Sequence, residues 1–253
     1  MRYCAYCGED RVLTKEHVWP SSLIRKYTDG LKVYNTRKNN FYIGDPVIKD
    51  VCEKCNNITL SKLDSYLSSL YDQYFFKILS PGDSVEIEYD YDLLLRALLK
   101  ISYNSSRAGK EDKVIKAHRK FVSFILDGRY RASIILRLQV VTSSRVLIPE
   151  RNVDDILEPA ELRCSYIAYN GALSHRFIVR LIAMNSYWFY IIMSYRPEAE
   201  NKWRDFMAGF CSWRIQPGVL VKPNSNRLEV PVNKTTYMHS DLLGALLYAN
   251  HNV

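Results

Sequence analysis

The first sustained periodicity in the chain begins at Thr59. Leu60, Leu63, Leu67, Leu70, Tyr74 and Ile78 recur at three- and four-residue steps, which predicts a helix of about five turns with one apolar stripe. Ser80-Pro81-Gly82-Asp83 then breaks the pattern and marks the expected domain boundary. Beyond it, Val85, Ile87 and Tyr89 alternate as in a short strand. Two amphipathic helices are predicted near 92–106 and 111–126, separated by Ala108-Gly109-Lys110. After Asp127-Gly128 the segments 131–148, 162–169 and 175–195 are dense in Ile, Val, Tyr and Phe and read as strands, with Asn185-Ser186 as a hairpin turn. Asp154-Asp155 and Glu158 read as a helix start. A short helix near 198–208 and a tail containing Pro217, Pro223 and Pro231 follow, whereas residues 1–57 are polar and turn-rich. The fold class expected from this pattern is α+β. A small N-terminal unit over 1–80 would be joined to an α+β domain over 84–253 with a strand-rich second half.

Composition narrows the class. With 253 residues, 47% of them hydrophobic and 25% charged, the chain is an ordinary globular protein and not a disordered one. It has no run of apolar residues long enough for a membrane-spanning helix, and the opening MRYCAYCGED has no signal core. The expected compartment is the cytoplasm, where paired cysteines suggest metal rather than disulfides. No glycine-rich phosphate loop is present, which argues against NTP hydrolysis. The formal net charge is +8. Basic residues outnumber acidic ones seven to two between Arg11 and Lys38, and again between Lys100 and Lys120. Such clusters favour a polyanionic partner, although solubility alone can account for a surplus of this size.

Four of the six cysteines form two CxxC pairs, Cys4-Ala5-Tyr6-Cys7 and Cys52-Glu53-Lys54-Cys55. Two intervening residues let both sulfurs of a knuckle turn toward one ion at about 2.3 Å, and two knuckles complete a tetrahedral zinc site. A thioredoxin-like motif would need only one such pair, and an iron–sulfur cluster fits the arrangement less well. A four-cysteine site is coordinatively closed, so Zn²⁺ there would hold structure and leave chemistry to other groups. Cys164 and Cys211 stand alone among apolar neighbours and read as small buried hydrophobes. His118 falls on a helix flank, and His175 and His239 have no metal-like neighbours.

Between the knuckles lies Thr14-Lys15-Glu16-His17-Val18-Trp19-Pro20, and Asn56 follows the second knuckle directly. Hydrolysis of a phosphodiester needs a base for water and a cation for the phosphate and the leaving oxygen. His17 has a suitable ordinary pKa for the base. Glu16 and Asn56 offer hard oxygens for Mg²⁺ or Mn²⁺. Lys15 and Lys49 are candidates to meet backbone phosphates, and Trp19-Pro20 is expected to cover the hairpin. In a regular strand, however, Glu16 and His17 would point to opposite faces, so a shared phosphate requires a bulge or twist.

The ordered set Cys4, Cys7, Glu16, His17, Cys52, Cys55 and Asn56, within the phrases EHVWPSSL and VCEKCNN, resembles the HNH endonuclease superfamily, most of all its branch with two zinc knuckles. The match covers residues 1 to about 66. It implies a ββα-metal fold in which Glu16 and Asn56 bind one divalent cation and His17 activates water. Glu16 stands where Asp is commoner, and either Asn57 or Asp64 would supply the third motif residue. The resemblance implies DNA as substrate, with RNA not excluded, and suggests restriction or anti-phage defence. Residues 84–253 would choose the target, form a homodimer or dock a partner protein. Two other readings are a non-catalytic zinc-stapled adaptor for nucleic acid or protein and a resolvase selective for branched DNA.

Overall fold

The computed structural model describes residues 3–27, 32–35, 40–129, 133–148, 153–212 and 217–232. Near the N-terminus, strand β1 (Leu13–His17) and the short helix α1 (Ser21–Ile24) precede a hairpin of β2 (Lys32–Asn35) and β3 (Asn40–Ile43). β4 (Val47–Cys52) then returns to pair antiparallel with β1. The register slips between Thr14 and Glu16, because Thr14 faces Val51 whereas Glu16 faces Ile48. One extra residue of β4 is accommodated there, a β-bulge.

From Cys55 to Phe75 the chain is helical. A wide, π-type stretch (Cys55–Leu60) leads into α2 (Ser61–Leu70), and a second wide stretch (Tyr71–Phe75) ends it. The helix therefore starts before Thr59 and stops before Ile78. Leu60, Leu63, Leu67 and Leu70 are buried as the periodicity predicts, but the next buried residues are Tyr71 and Phe75. Tyr74 and Ile78 are only half-buried. An i→i+5 turn holds more residues than an α turn, so the stripe changes phase where the helix widens.

β5 (Ser84–Glu88) is followed by the long helix α3 (Tyr91–Gly109), whose start is capped by Asp90 accepting the Leu93 N–H at 2.9 Å. The single helix expected over 111–126 is instead α4 (Asp112–His118) and α5 (Val122–Asp127), joined by a tighter turn at Arg119–Phe121. Next come β6 (Ile134–Val140), β7 (Ser144–Ile148), β8 (Val153–Leu157) and β9 (Leu162–Tyr166). Asp154 and Asp155 lie within β8, not at a helix start. Their backbones pair with Leu147 and Val146 of β7, and the flanking Val153, Ile156 and Leu157 favour a ladder over a helical turn. β10 (Phe177–Met184) and β11 (Tyr187–Ser194) form the expected hairpin about Asn185-Ser186, with Asn185 at a φ of 51°. Helix α6 (Glu200–Cys211), β12 (Val219–Leu220) and β13 (Arg227–Pro231) complete the described chain.

The central sheet has the order β12-β6-β11-β10-β9 and is antiparallel throughout. β10 and β11 are buried along their whole length, so both faces of the sheet are covered. Alternation assigns Ile178, Ile182, Phe189 and Ile191 to one face and Val179, Leu181, Trp188 and Tyr190 to the other. The first face shares a core with the helices α2–α5, and the second is covered by Trp203, Phe206 and Phe210 of α6. The result is a mixed helix-and-sheet protein. β13 pairs with β5 at the margin. Ser80–Asp83 is a turn, closed by the Asp83 N–H on the Ser80 carbonyl at 3.1 Å. The apolar cluster runs past that turn from Cys4 to Val230, and the Leu79 N–H donates to Ser186 Oγ at 2.8 Å. Among the described residues no helix is long and apolar enough to cross a membrane.

Candidate metal centre and hairpin site

The four paired cysteines meet at one point. Their sulfurs all lie within 4.8 Å of one another, and Cys7 and Cys52 are 3.7 Å apart, without a disulfide. A tetrahedron with arms of about 2.3 Å has edges of about 3.8 Å, so the spacing is that of ligands to one ion. The first knuckle turns at Gly8, whose φ of +72° a side chain would strain, and the Gly8 N–H closes the turn on the Cys4 carbonyl at 2.9 Å. The second knuckle is the junction between β4 and the helix. The Cys52 N–H points at Cys4 Sγ from 3.3 Å. Burial alone would raise Cys4, but N–H groups of Cys52, Cys7 and Tyr6 outweigh it and bring the thiol down to about 7. Burial and the neighbouring thiols push Cys55 the other way. Four thiols so crowded can hold a metal ion such as zinc, which would relieve that repulsion.

Glu16 and His17 leave β1 on opposite faces. Glu16 is buried, with only 3% of its surface exposed, whereas His17 opens toward solvent with 42% of its side chain accessible. The bulge does not turn Glu16 outward. Its carboxylate meets Lys100 Nζ at 2.6 Å and accepts from Asn104 Nδ2 at 3.3 Å. Burial pushes the Glu16 carboxyl up, and the Lys100 ammonium opposes that shift. Asp64 of α2 takes the same ammonium at 2.8 and 3.0 Å. On the outer side, Asp45 Oδ2 stands 2.5 Å from His17 Nδ1. Lys15 and Lys49 are both exposed on this hairpin.

Asn56 uses its side-chain amide on the hairpin itself, donating to Thr14 Oγ1 at 3.0 Å and to the Lys15 carbonyl at 2.8 Å. It therefore clamps the start of the helix to β1 on the N-terminal side of Glu16. Asn57 is exposed, and Asp64 is committed to Lys100. A divalent ion bound jointly by Glu16 and Asn56 does not fit this arrangement, since the Glu16 carboxylate is already engaged by a buried ammonium. Trp19 is buried in the main apolar core.

Sequence reading missed Asp45, Lys100 and Asn104, which hold the two central residues. Asn104 also donates to the His17 carbonyl at 3.1 Å and accepts from Tyr6 Oη at 2.7 Å and Arg107 Nη2 at 2.6 Å. The signal available was a polar stripe, Lys100, Asn104 and Arg107, at helical spacing on a largely buried α3. The basic stretch Lys100–Lys120 is thus only partly a surface. Lys100 is fully buried, Arg107 lies over the rings of Tyr103 and Tyr6 at 4.1 and 4.8 Å, and Lys120 donates to the Ser194 carbonyl. Lys110, Lys113, Lys116 and Arg119 are exposed. Cys164 and Cys211 are half-buried, His118 is fully buried, His175 is exposed and His239 lies outside the described residues. No family model, curated protein or solved structure matches the chain.

Proposed function

We propose that the chain is a zinc-stapled endonuclease of the HNH kind that hydrolyses phosphodiester bonds in DNA. The observation that carries this reading is the His17–Asp45 pair on the open side of a hairpin that the four cysteines, Asn56 and α3 hold in place. Zn²⁺ on Cys4, Cys7, Cys52 and Cys55 would fix the first knuckle, β4 and the helix start as one unit. A proton on Nδ1, in ion-pair contact with Asp45, would leave the Nε2 lone pair available to a water. Nε2 takes a proton from water as the water oxygen bonds to phosphorus, and the O3′ departs with the bonding pair. Asp45 stabilises the imidazolium that results. Lys15 and Lys49 supply charge for the phosphate backbone, which gives affinity that falls with salt and carries no sequence readout. DNA as the polymer is the implication of the resemblance, as is a divalent cation, and no step here runs through that ion.

The test is nicking of supercoiled plasmid, with and without added Mg²⁺ or Mn²⁺, by the zinc-loaded wild type, His17→Ala and Asp45→Asn. Loss of the base should slow cutting by about 10²–10⁴-fold, and Asp45→Asn should fall between the two. Equal cutting by His17→Ala removes the proposed base. A folded wild type that binds plasmid in a salt-dependent manner and never cuts it would instead support the adaptor reading. One observation favours that rival: the acidic residue of the motif is spent on Lys100 inside the protein.

A further inference from the structure

Two elements, β1 and α2, converge on the side chain of Lys100 on α3. Its ammonium lies 2.6 Å from Glu16 Oε1 on β1, 2.8 and 3.0 Å from the two oxygens of Asp64 on α2, and 3.4 Å from the His17 carbonyl. Lys100 itself has no exposed surface, and Glu16 has almost none. Two carboxylates and a carbonyl around one positive charge are the hard oxygen donors that Mg²⁺ or Mn²⁺ takes. The separations are those of N–H···O bonds, however, and they exceed by about half an ångström or more the roughly 2.0–2.1 Å of Mg–O bonds. One ammonium between two carboxylates leaves the cradle net negative. Asp64, with 28% of its side chain accessible, is its opening to solvent.

We propose that Lys100 is the resident cation of this cradle: the folded protein takes no divalent ion on Glu16, and removing the ammonium opens the cradle to one. Glu16 is then a positioning residue. It fixes Lys100, and Lys100 and Asn104 both donate to the His17 carbonyl, so the cluster sets where the outward-facing imidazole stands. The proposal concerns binding, and it holds whether or not the chain cuts DNA.

Mn²⁺ binding to the full, zinc-loaded chain, followed by electron paramagnetic resonance, tests it. Wild type should show no Mn²⁺ that Glu16→Gln or Asp64→Asn removes. Lys100→Ala and Lys100→Ser should each gain one Mn²⁺, bound at least about tenfold tighter than any wild-type binding, and adding Glu16→Gln should abolish it. Where a Lys100 variant folds poorly, Mn²⁺ or ethylammonium should restore its unfolding midpoint while leaving that of the wild type unchanged. Two results overturn the proposal. One is a wild-type Mn²⁺ site that Glu16→Gln destroys, which would make Glu16 a native ligand from which Lys100 swings away. The other is a pair of Lys100 variants that neither bind Mn²⁺ better than wild type nor respond to either cation.

Discussion

Acid should unfold this protein in part through one buried histidine. His118 ends α4 with no exposed surface, its Nδ1 2.8 Å from the Val114 carbonyl and its Nε2 2.9 Å from Ser102 Oγ. Its ring stacks on Tyr103 at 5.7 Å. Burial drives the imidazole pKa down to about 3, opposed by the Val114 carbonyl and reinforced by Arg180, Arg107 and Lys120. An unfolded histidine titrates near pH 6.5. Below that value the unfolded chain takes up a proton that the folded chain refuses, so this group's contribution is complete above about pH 6.5 and is lost as the pH falls toward 3. The limiting slope is about 1.4 kcal/mol per pH unit, and from pH 7 to pH 4.5 the loss sums to about 2–3 kcal/mol. That is a large share of an ordinary stability of about 5–15 kcal/mol. Urea unfolding followed by circular dichroism over this range measures it directly. His118→Gln keeps an amide donor and a carbonyl acceptor but cannot titrate, so it should start less stable and lose about 2–3 kcal/mol less than wild type over the same range. Proton-driven loss of zinc affects both proteins and cancels in the comparison. If the two curves stay parallel within about 0.5 kcal/mol, the imidazole is not the group refusing the proton.

Two further outcomes follow from the cluster geometry. Chelation should release one metal ion per chain and lower the melting temperature, as should Cys4→Ser, because the quartet ties the first knuckle to the start of the helix at Cys55; a metal-free chain that melts with the wild type would show that packing alone holds this corner. Lys100→Met should cost about 3–5 kcal/mol in urea unfolding by stranding Glu16 without its partner, and adding Glu16→Gln should recover part of that, whereas strictly additive losses would mean that the pair does not interact.

The legible parts of this fold are those where one period governs a whole element. The Leu60–Leu70 stripe, the β10–β11 hairpin at Asn185-Ser186 and the cysteine quartet all stand where spacing places them. The illegible parts are changes of phase. Tyr71 and Phe75 replace Tyr74 and Ile78 in the core because the helix widens, and a widened turn has no residue-type signature. The Arg119–Phe121 turn divides α4 from α5 without a glycine or proline to announce it. β8 is a third kind of case. Asp154-Asp155 resembles the acidic first turn of a helix, and only a partner strand, which local sequence does not display, makes it a ladder.

The hairpin shows why neighbouring motif residues are hard to interpret together. Glu16 and His17 are adjacent, so on a strand one must face inward, and no count of motif letters says which. The answer lay far along the chain. A lysine, an asparagine and an arginine at 100, 104 and 107 line one side of a helix that also buries Leu94, Leu95, Leu98, Leu99 and Ile101. A polar stripe on a helix otherwise committed to the core must find polar partners, because an unpaired buried ammonium costs several kcal/mol, on the order of 3–5. Glu16 and Asp64 are those partners. Counting charge between Lys100 and Lys120 treats these residues as attraction for a polyanion, yet three of them turn inward, Lys100 to carboxylates, Arg107 Nη2 to an asparagine and Lys120 to a backbone carbonyl. Lys110, Lys113, Lys116 and Arg119 of that stretch stay exposed, as do Lys15 and Lys49 on the outer side of the hairpin, where His17 and Asp45 stand. The inward face positions the imidazole and the outward face meets the solvent, so any chemistry at this site has to be carried by the outward set.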